Sequence, residues 1–284
     1  MMMMQTPWKK LVPSVESAVY LGVMGGGQLG QMFVHAAQTM GYKTVVLDPD
    51  PNSPAGSVAH IHIHADYSDE KALAQMADLC DAVTVEFENV PASALAYLLA
   101  HAVQVSPSHQ SVLTAQNRIA EKNHFKACGI PTAPFVAIEA ELDLLKVAES
   151  IFPAILKTAS MGYDGKGQIR VKDHAQLKEA WGKLKQVPCV LEKMLSLQGE
   201  CSVIVARGFD GTMVHFPVQH NIHQDGVLAL TQVFSDAIPT HMGETAIREA
   251  KHVAENLNYV GVLCVEFFLL DIETEVGREL GGLV

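Results

Sequence analysis

The feature that most constrains the fold is a regular alternation of short apolar runs and amphipathic segments between residues 18 and 105. Ala18 to Met24 is an apolar run that leads into three glycines, and Lys43 to Leu47 is a second one. The segment between them predicts a helix over Gln28 to Met40. Strands that alternate with helices form a parallel sheet with helices on both faces. The sequence therefore predicts a doubly wound α/β domain.

The same alternation predicts the rest of this domain. Its further elements are a strand over Val58 to His64, a helix over Ser68 to Leu79 capped by Ser68, a strand over Ala82 to Phe87 and a helix over Ala92 to His101. In such sheets, ligands bind at the carboxyl ends of the strands. The segments expected there are Gly25 to Gly27, Asp48, and Glu86 to Asn89.

A different pattern begins at Ser111, where a helix is predicted to run to Cys128. It is followed by strand-like pieces with only two clear helices, which indicates an α+β region. The predicted strands are Ala154–Lys157, Gln168–Val171, Val190–Glu192, Cys201–Ala206 and Val214–Val218, and the helices are Ala175–Lys185 and Gly243–Leu257. We therefore expect a tail over 1–17, a first domain over 18–110 and a second domain over 111–284.

The first glycine-rich segment, Gly25 to Gly30, follows a strand and opens a helix. Its spacing fits the GxGxxG fingerprint, and Asp48 lies at the end of the next strand, which is the pattern of a dinucleotide site. A close turn between a strand and a helix needs the same glycines without any ligand. An NAD(P)-dependent oxidoreductase is therefore one candidate class.

The second glycine-rich segment is Gly162-Tyr163-Asp164-Gly165-Lys166-Gly167-Gln168, between two predicted strands. Backbone N–H groups of such a loop can surround a polyphosphate, and Lys166 adds a cation. Lys157, on the preceding strand, could hold a second phosphate. The alternative is an exposed hairpin with no ligand.

Several carboxylates stand where a ligand could meet them. The segment from Glu192 to Leu195 (Glu192, Lys193, Met194, Leu195) follows an apolar strand, as an adenine-binding edge would. Glu200 could then accept hydrogen bonds from ribose hydroxyls. The alternative is a surface Glu-Lys pair without a ligand.

Two further sites depend on carboxylates. Glu86 and Glu88 alternate at a strand end and point to opposite faces, where one could meet a substrate; a purely structural role is the alternative. Glu266 lies in the apolar run Val260 to Leu270, where a carboxylate is costly unless paired or bound to a metal. It is the strongest Mg²⁺ ligand candidate.

Composition excludes several classes. The net charge of −11 argues against a nucleic-acid binder, and no apolar run reaches the length of a membrane span. The five cysteines form no CxxC pair, so neither a disulfide framework nor a zinc site is expected, and a cytoplasmic location is the simplest. His60, His62 and His64 share one strand face, which we interpret as a partly exposed strand and not as a metal site.

Together these segments resemble the 5-(carboxyamino)imidazole ribonucleotide synthases, ATP-grasp enzymes of de novo purine synthesis. The resemblance covers about Tyr20 to Leu270 and rests on the motifs GGGQLGQM, TVEFENV, LTAQNRIAEK, LKTASMGYDGKGQ, LEK, HNIHQDG and NYVGVLCVEFF. It implies a Rossmann-like pre-ATP-grasp domain, similar to the N-terminal domain of biotin carboxylase, and then an ATP-grasp domain with a lid over about 135–200. The formate-dependent glycinamide ribonucleotide transformylases share the first glycine turn, but their phosphate loop is serine-rich, unlike the Tyr163-Asp164 loop of this chain. They are therefore the second alternative.

The resemblance also implies chemistry and roles. ATP would phosphorylate bicarbonate, and the amine of 5-aminoimidazole ribonucleotide would take the carboxyl group, giving ADP and phosphate. The implied ATP-binding residues are Arg118, Lys157, Gly162 to Gln168, Glu192 to Leu195, Glu200 and His223. Tyr163 and Lys166 would also help to hold bicarbonate or the imidazole, Gln28 with Glu86 or Glu88 would bind the ribonucleotide, and Glu266 would bind Mg²⁺. A homodimer is implied as well.

The resemblance ends after Leu270, where the family has an Asn-Glu pair that supplies the second metal ligand. Here the sequence continues DIETEVGRELGGLV. We therefore expect a member that lacks the C-terminal part of the fold, in which the metal site is half built. The expected outcome is weak or absent activity, or a chain that binds nucleotide without turnover.

Overall fold

A computed structural model of the chain describes residues 11–14, 16–160, 167–224, 227–234 and 236–284. The chain divides into two compact units. The first extends to Leu113 and includes Tyr259–Gly261, and the second comprises Thr114–Asn258 and Val262–Val284. Most of the predicted tail over 1–17 lies outside the described residues.

The first unit is built on a five-stranded parallel sheet, in which the strands lie in the order β3-β2-β1-β4-β5. The elements are β1 (Tyr20–Met24), α1 (Gln28–Thr39), β2 (Lys43–Asp48), β3 (Ile61–His64), α2 (Glu70–Leu79), β4 (Ala82–Val85), α3 (Ala92–Ala100) and β5 (Gln104–Val105). One apolar cluster joins β2 to α2 and α3, and another joins β1 and β2 to α1. Helices therefore cover both faces, and the predicted doubly wound fold is confirmed.

The turn from β1 to α1 explains the first glycine motif. Gly25 has a φ of +108°, a conformation that glycine adopts readily and other residues rarely do. A Cβ on Gly30 would lie 2.6 Å from the carbonyl oxygen of Gly25, so the helix could not approach the strand this closely with a larger residue. The N-cap predicted at Ser68 is wrong: the Asp69 carboxylate accepts from the N–H of Ala72 and caps α2.

The second unit contains two further sheets, ordered β6-β9-β7-β8 and β11-β10-β12-β13, with β14 paired to β10. Helix α4 (His109–Ala115) crosses the division between the units, and a 3₁₀ turn covers Glu149–Ile151. The other elements are α5 (Arg118–Ala127), β6 (Phe135–Ile138), α6 (Glu141–Leu144), β7 (Ala154–Thr158), β8 (Gln168–Val171), α7 (His174–Lys183), β9 (Cys189–Lys193), β10 (Leu197–Arg207), β11 (Met213–His215), β12 (Gln219–Gln224), β13 (Val227–Val233), α8 (Thr240–Asn256), β14 (Gly261–Leu270) and α9 (Glu275–Glu279).

The prediction of a single helix from Ser111 to Cys128 is wrong, because the helix is interrupted between α4 and α5. Asn117 has extended backbone angles, and its side-chain oxygen accepts from the N–H groups of Ile119 (2.9 Å) and Ala120 (3.1 Å). Asparagine competes with the helix in this way because its side chain can replace a backbone acceptor. The new N-terminus fixes where α5 begins, and with it the position of Arg118.

We expect Asn117→Ala to lower the free energy of unfolding by about 1 kcal/mol, because the first amides of α5 lose their acceptor. Denaturant unfolding of the purified chain measures this. Asn123→Ala, at an exposed position inside the same helix, is the matched control and should not lower the free energy of unfolding. An equal loss in both variants would contradict a capping role.

Other differences lie in the antiparallel strands. The strand predicted over Val214–Val218 ends at His215, because Pro217 has no N–H to give to a sheet. Strands β6, β12 and β13 were not predicted. After β14 the chain forms α9 and returns, so that the N–H of Phe268 donates to the Val284 carbonyl at 2.8 Å and that of Leu270 to the Gly282 carbonyl at 2.9 Å.

Candidate functional site

The second unit contains a pocket of about 440 Å³ that gathers Arg118, Lys157, Gln168, Glu192 and Glu200 from the predicted nucleotide-binding residues. We call it the α5–β14 pocket, after two of the elements that line it. Its polar lining includes Arg118, Glu121, Lys122, Lys157, Gln168, Glu192, Glu200 and Glu266. These residues come from α5, β7, β8, β9, β10 and β14, so the pocket exists only when the whole unit is folded.

A buried carboxylate between two lysines is at the centre of this lining. Oε2 of Glu192 accepts from Nζ of Lys157 at 2.9 Å, and Oε1 lies 3.4 Å from Nζ of Lys122. The Glu192 side chain is 8% exposed, whereas those of Lys122 and Lys157 are 14% and 21% exposed. Although Glu121, Glu200 and Glu266 add negative charge elsewhere in the lining, these three residues set two ammonium groups against one carboxylate, which is a local net positive charge. Such a charge suits a phosphate.

The environment shifts the pKa values of this cluster in different directions. Burial disfavours the ionised form of Glu192, but attraction to Lys157 and Lys122 outweighs burial and holds its pKa below the ordinary value. Burial lowers the pKa of Lys122 although Glu192 opposes this, and burial raises the pKa of Glu121 against the attraction of Lys122 and Arg118. Glu192 is therefore the ionised member that holds the lysines.

Glu200 and His223 meet at another part of the site. Oε2 of Glu200 lies 3.0 Å from Nδ1 of His223, across the neighbouring strands β10 and β12. Glu200 lines the α5–β14 pocket, whereas His223 does not. The Glu200 carboxylate can accept hydrogen bonds from hydroxyl groups of a ligand.

Glu266 was expected to be a costly carboxylate inside an apolar strand, and this expectation is wrong. Its position in the pocket is nevertheless compatible with binding a metal ion. Along β14 the side chains of Val265, Phe267 and Leu269 are buried, whereas Glu266 is exposed on the opposite face and lines the pocket. Alternation along the strand thus places it in solvent and not in the core. Among the residues that the structure describes, no three His, Cys, Asp or Glu side chains form a metal-binding group.

The predicted adenine-binding edge lies beside the pocket and only partly in it. Glu192 lines it, whereas Lys193, Met194 and Leu195 do not. The N–H of Met194 donates to the Pro153 carbonyl at 2.9 Å, and Nζ of Lys193 donates to the Ser150 carbonyl at 2.7 Å. The Lys193 side chain is thus held at Ser150.

The second glycine-rich loop is described only at its end. Gly162, Tyr163, Asp164, Gly165 and Lys166 lie outside the described residues. Gly167 has a φ of +73°, and its carbonyl accepts from the N–H of Thr158. Gln168, which follows it on β8, lines the α5–β14 pocket.

In the first unit, the glycine turn is already occupied by the chain's own carboxylates. Glu86 accepts from the N–H groups of Gly27 (3.1 Å) and Gly30 (3.2 Å), and Asp48 accepts from the N–H of Gly26 at 2.6 Å. These amides are the ones that a dinucleotide pyrophosphate would need. The geometry therefore disfavours the NAD(P) alternative. Gln28 and Glu88 are exposed near this turn.

Lys122 and Glu121 are pocket residues to which sequence reasoning assigned no role. The available signal was their spacing, because residues three and four positions after Arg118 lie on the same side of a helix. What the sequence could not show is that this side faces Glu192 on β9.

No helix among the described residues is long and apolar enough to cross a membrane. The five cysteines are all described, and all are free thiols.

Comparison with known proteins agrees with this geometry. Residues 19–116 match the model of the ribonucleotide synthetase preATP-grasp domain, and residues 123–277 match that of the ATP-grasp domain. The chain is 41% identical over 252 residues to the N5-carboxyaminoimidazole ribonucleotide synthase of Pseudomonas aeruginosa, covering 88% of this chain and 69% of that protein. It is 38% identical over 254 residues to the Staphylococcus aureus protein of the same name, covering 88% and 66%.

A solved structure shows the same fold. The N5-carboxyaminoimidazole synthase of Aspergillus clavatus, in complex with ADP and 5-aminoimidazole ribonucleotide, superposes with a TM-score of 0.81 at 29% identity, covering 90% of this chain and 68% of that one. The chain thus spans about two thirds of the length of the relatives it matches.

Proposed function

The chain belongs to the N5-carboxyaminoimidazole ribonucleotide synthase family of ATP-grasp proteins, and we propose that it binds ATP in the α5–β14 pocket and uses it to carboxylate 5-aminoimidazole ribonucleotide with bicarbonate. The observation that carries this proposal is the Lys122–Glu192–Lys157 cluster, which sets two ammonium groups against a single carboxylate in the pocket lining. The Aspergillus relative, which was solved with ADP and 5-aminoimidazole ribonucleotide, supports the ligand class.

The reaction would proceed in two steps. A bicarbonate oxygen attacks the terminal phosphorus of ATP, and the bond to ADP breaks, which gives carboxyphosphate and ADP. The exocyclic amine of the imidazole then forms a bond to the carboxyl carbon, phosphate leaves with the electrons of the C–O bond, and the amine loses a proton. In this proposal Lys157 and Arg118 hold the phosphates of ATP, and charge that develops on the transferred group is stabilised by such fixed cations.

The remaining roles follow the same proposal. Glu200, beside His223, accepts ribose hydroxyls. The edge from Glu192 to Leu195, which borders the pocket, contacts the adenine through groups other than the N–H groups of Lys193 and Met194, because the chain itself uses these. Gln28 with Glu86 or Glu88 binds the ribonucleotide. Tyr163 and Lys166, together with the rest of the loop from Gly162, would close over ATP and exclude water, which protects carboxyphosphate from hydrolysis.

Magnesium fits the donor set of the pocket. Glu266 and Glu200 both line it, and Mg²⁺ is commonly bound by one or two carboxylates together with substrate phosphates. Glu266 is the residue that would hold it. When bound, Mg²⁺ would neutralise phosphate charge. We place the protein in the cytoplasm, where free thiols persist, and expect a homodimer.

A second candidate is nucleotide binding without turnover. The residues that pair with β14 on the return of the chain, Gly282 to Val284, carry no side-chain carboxylate. This arrangement favours a pocket that accepts ATP but lacks part of the catalytic machinery.

One experiment separates these functions. We would measure ADP release from MgATP by the purified chain, with and without 5-aminoimidazole ribonucleotide and bicarbonate, and measure ATP binding by calorimetry. We expect ATP to bind, with ADP release that requires the imidazole substrate. Binding without release would favour the second candidate. A folded chain that binds no ATP would overturn both, and Lys172→Met, at an exposed lysine outside the pocket, serves as the control for charge removal.

A further inference from the structure

Lys122 has no role in the proposed reaction, yet the burial of its ammonium group costs free energy. Its side chain is only 14% exposed, and its Nζ lies 5.5 Å from the centre of the Phe135 ring. Burial lowers the pKa of its ammonium group, which means that the charged form is disfavoured there. A charged group is kept in such a place only when it is paired, and the partner here is Glu192.

Glu192 is held from two directions. Its backbone lies on β9 between Phe135 of β6 and Ile155 of β7, which fixes the Cα atom within the sheet. The carboxylate extends from this position, and each of its oxygens meets a different lysine. Lys157 belongs to β7 in the same sheet, whereas Lys122 approaches from α5.

This geometry gives the two lysines different roles. The Lys157 ammonium is bound by Oε2 at 2.9 Å, so the orientation of the carboxylate sets where that ammonium stands in the pocket. Without Lys122, Oε1 would lose its cation, and the carboxylate could rotate about its side-chain bonds. It would then bind Lys157 more tightly through both oxygens and compete with a phosphate for it.

We propose that Lys122 is a positioning residue for nucleotide binding: by holding one oxygen of Glu192 it fixes the carboxylate, and so keeps the Lys157 ammonium placed and available for a phosphate group. This inference rests on the proposed ATP site in the α5–β14 pocket. It assigns to Lys122 an effect that passes through Glu192 and not through direct contact with the nucleotide.

The test is a double-mutant cycle on nucleotide affinity. Dissociation constants of adenosine, ADP and ATP are measured by calorimetry for the wild type, Lys122→Met, Glu192→Gln and the double variant. We expect Lys122→Met to weaken ATP binding about tenfold, a size typical of coupling between contacting residues, and to leave adenosine binding unchanged. In the Glu192→Gln background the same change should have little effect.

Controls keep the outcome interpretable. Lys126→Met removes an exposed lysine from the same helix outside the pocket and should bind ATP like the wild type. Circular dichroism checks that each variant is folded. If Glu192→Gln is not, Lys157→Met takes its place in the cycle, because an effect that passes through Glu192 to the Lys157 ammonium should also vanish when that ammonium is absent.

Three results would overturn the inference. Equal ATP affinity in Lys122→Met and wild type would show that Lys122 positions nothing. An undiminished loss in the Glu192→Gln background would mean that Lys122 contacts the nucleotide directly. Equal weakening of adenosine and ATP would indicate a general structural role. By contrast, a wild-type chain that binds no ATP would refute the proposed function itself, so the two failures are distinguishable.

Discussion

Glu192→Leu is expected to lower the free energy of unfolding by about 3 kcal/mol, because it leaves two largely buried ammonium groups without their counter-charge. Removing one partner of a buried ion pair costs this much since the remaining charges keep their desolvation penalty but lose the attraction that offset it. Urea unfolding of the purified variant measures the loss. Leucine keeps the approximate volume of the side chain, so a cavity does not account for the effect.

A triple variant is the matched control for this prediction. Lys122→Met, Glu192→Leu and Lys157→Met together replace the whole charged cluster by apolar side chains of similar length. Such replacements of complete buried ion clusters are commonly neutral or stabilising. We expect the triple variant to be at least as stable as the wild type but unable to bind ATP. A triple variant as unstable as Glu192→Leu would show that packing and not charge explains the loss.

The pH dependence of stability gives an independent check on Glu192. Its pKa in the folded chain lies below its ordinary value of 4.5, so folding favours the ionised carboxylate. The stabilisation is therefore fully present above pH 4.5 and is lost as the pH falls through the folded pKa. The stability difference between wild type and Glu192→Gln should shrink on acidification below that pH. Burial is the main cause of the raised pKa of Glu121, which has the opposite effect on stability and is present in both proteins; only the part that Glu192 causes remains in the difference.

The first unit could be predicted well because its signals are local. Strands β1, β2 and β4 are short runs of mainly apolar residues, and α1 and α2 are amphipathic, so the order of these elements follows from periodicity. The two-residue strand β5 is too short to give such a signal. The glycine turn was also predicted, but its meaning was open. Whether its amides bind a ligand or a carboxylate of the same chain depends on Glu86, which is 59 residues from Gly27.

The second unit was harder to predict because its strands are defined by their partners. Strand β13 is exposed along its whole length although it contains Val227, Leu228 and Leu230, so no apolar-polar alternation marks it. Helix α5 separates from α4 because of one side-chain cap at Asn117. Periodicity finds elements with one buried face and misses elements that are set by pairing or by a single cap.

The candidate site shows the same division. The sequence identified Lys157, Glu192, Glu200 and Glu266 as candidates from their neighbours along the chain, and the structure brings all four to one pocket. It could not show that Glu192 is shared between two lysines, because Lys122 and Lys157 lie on different elements. Resemblance to a family supplies residue positions, whereas the charge balance of a pocket has to be found from the folded chain.

Lys157→Met is expected to weaken ATP binding by at least roughly 30-fold, the lower end of what the loss of one partner in a buried charged hydrogen bond costs. The ammonium group is the charge that Glu192 holds in the pocket, so its removal leaves the cluster neutral, with Lys122 and Glu192 as a closed pair. Because a lysine meets phosphates and not the base, the loss should grow from adenosine to ADP to ATP. The fold should survive, since Lys122 still balances Glu192.

Calorimetry with the three ligands measures this trend, and Lys172→Met, at an exposed lysine outside the pocket, is the matched control. The comparison with Lys122→Met is the most informative part. If both lysines serve the same phosphate group, one directly and the other through Glu192, the loss in Lys157→Met must exceed that in Lys122→Met, and the two losses must not add in the double variant. Full additivity would mean that the lysines act independently, and that Glu192 is a salt-bridge partner without a role in placing them.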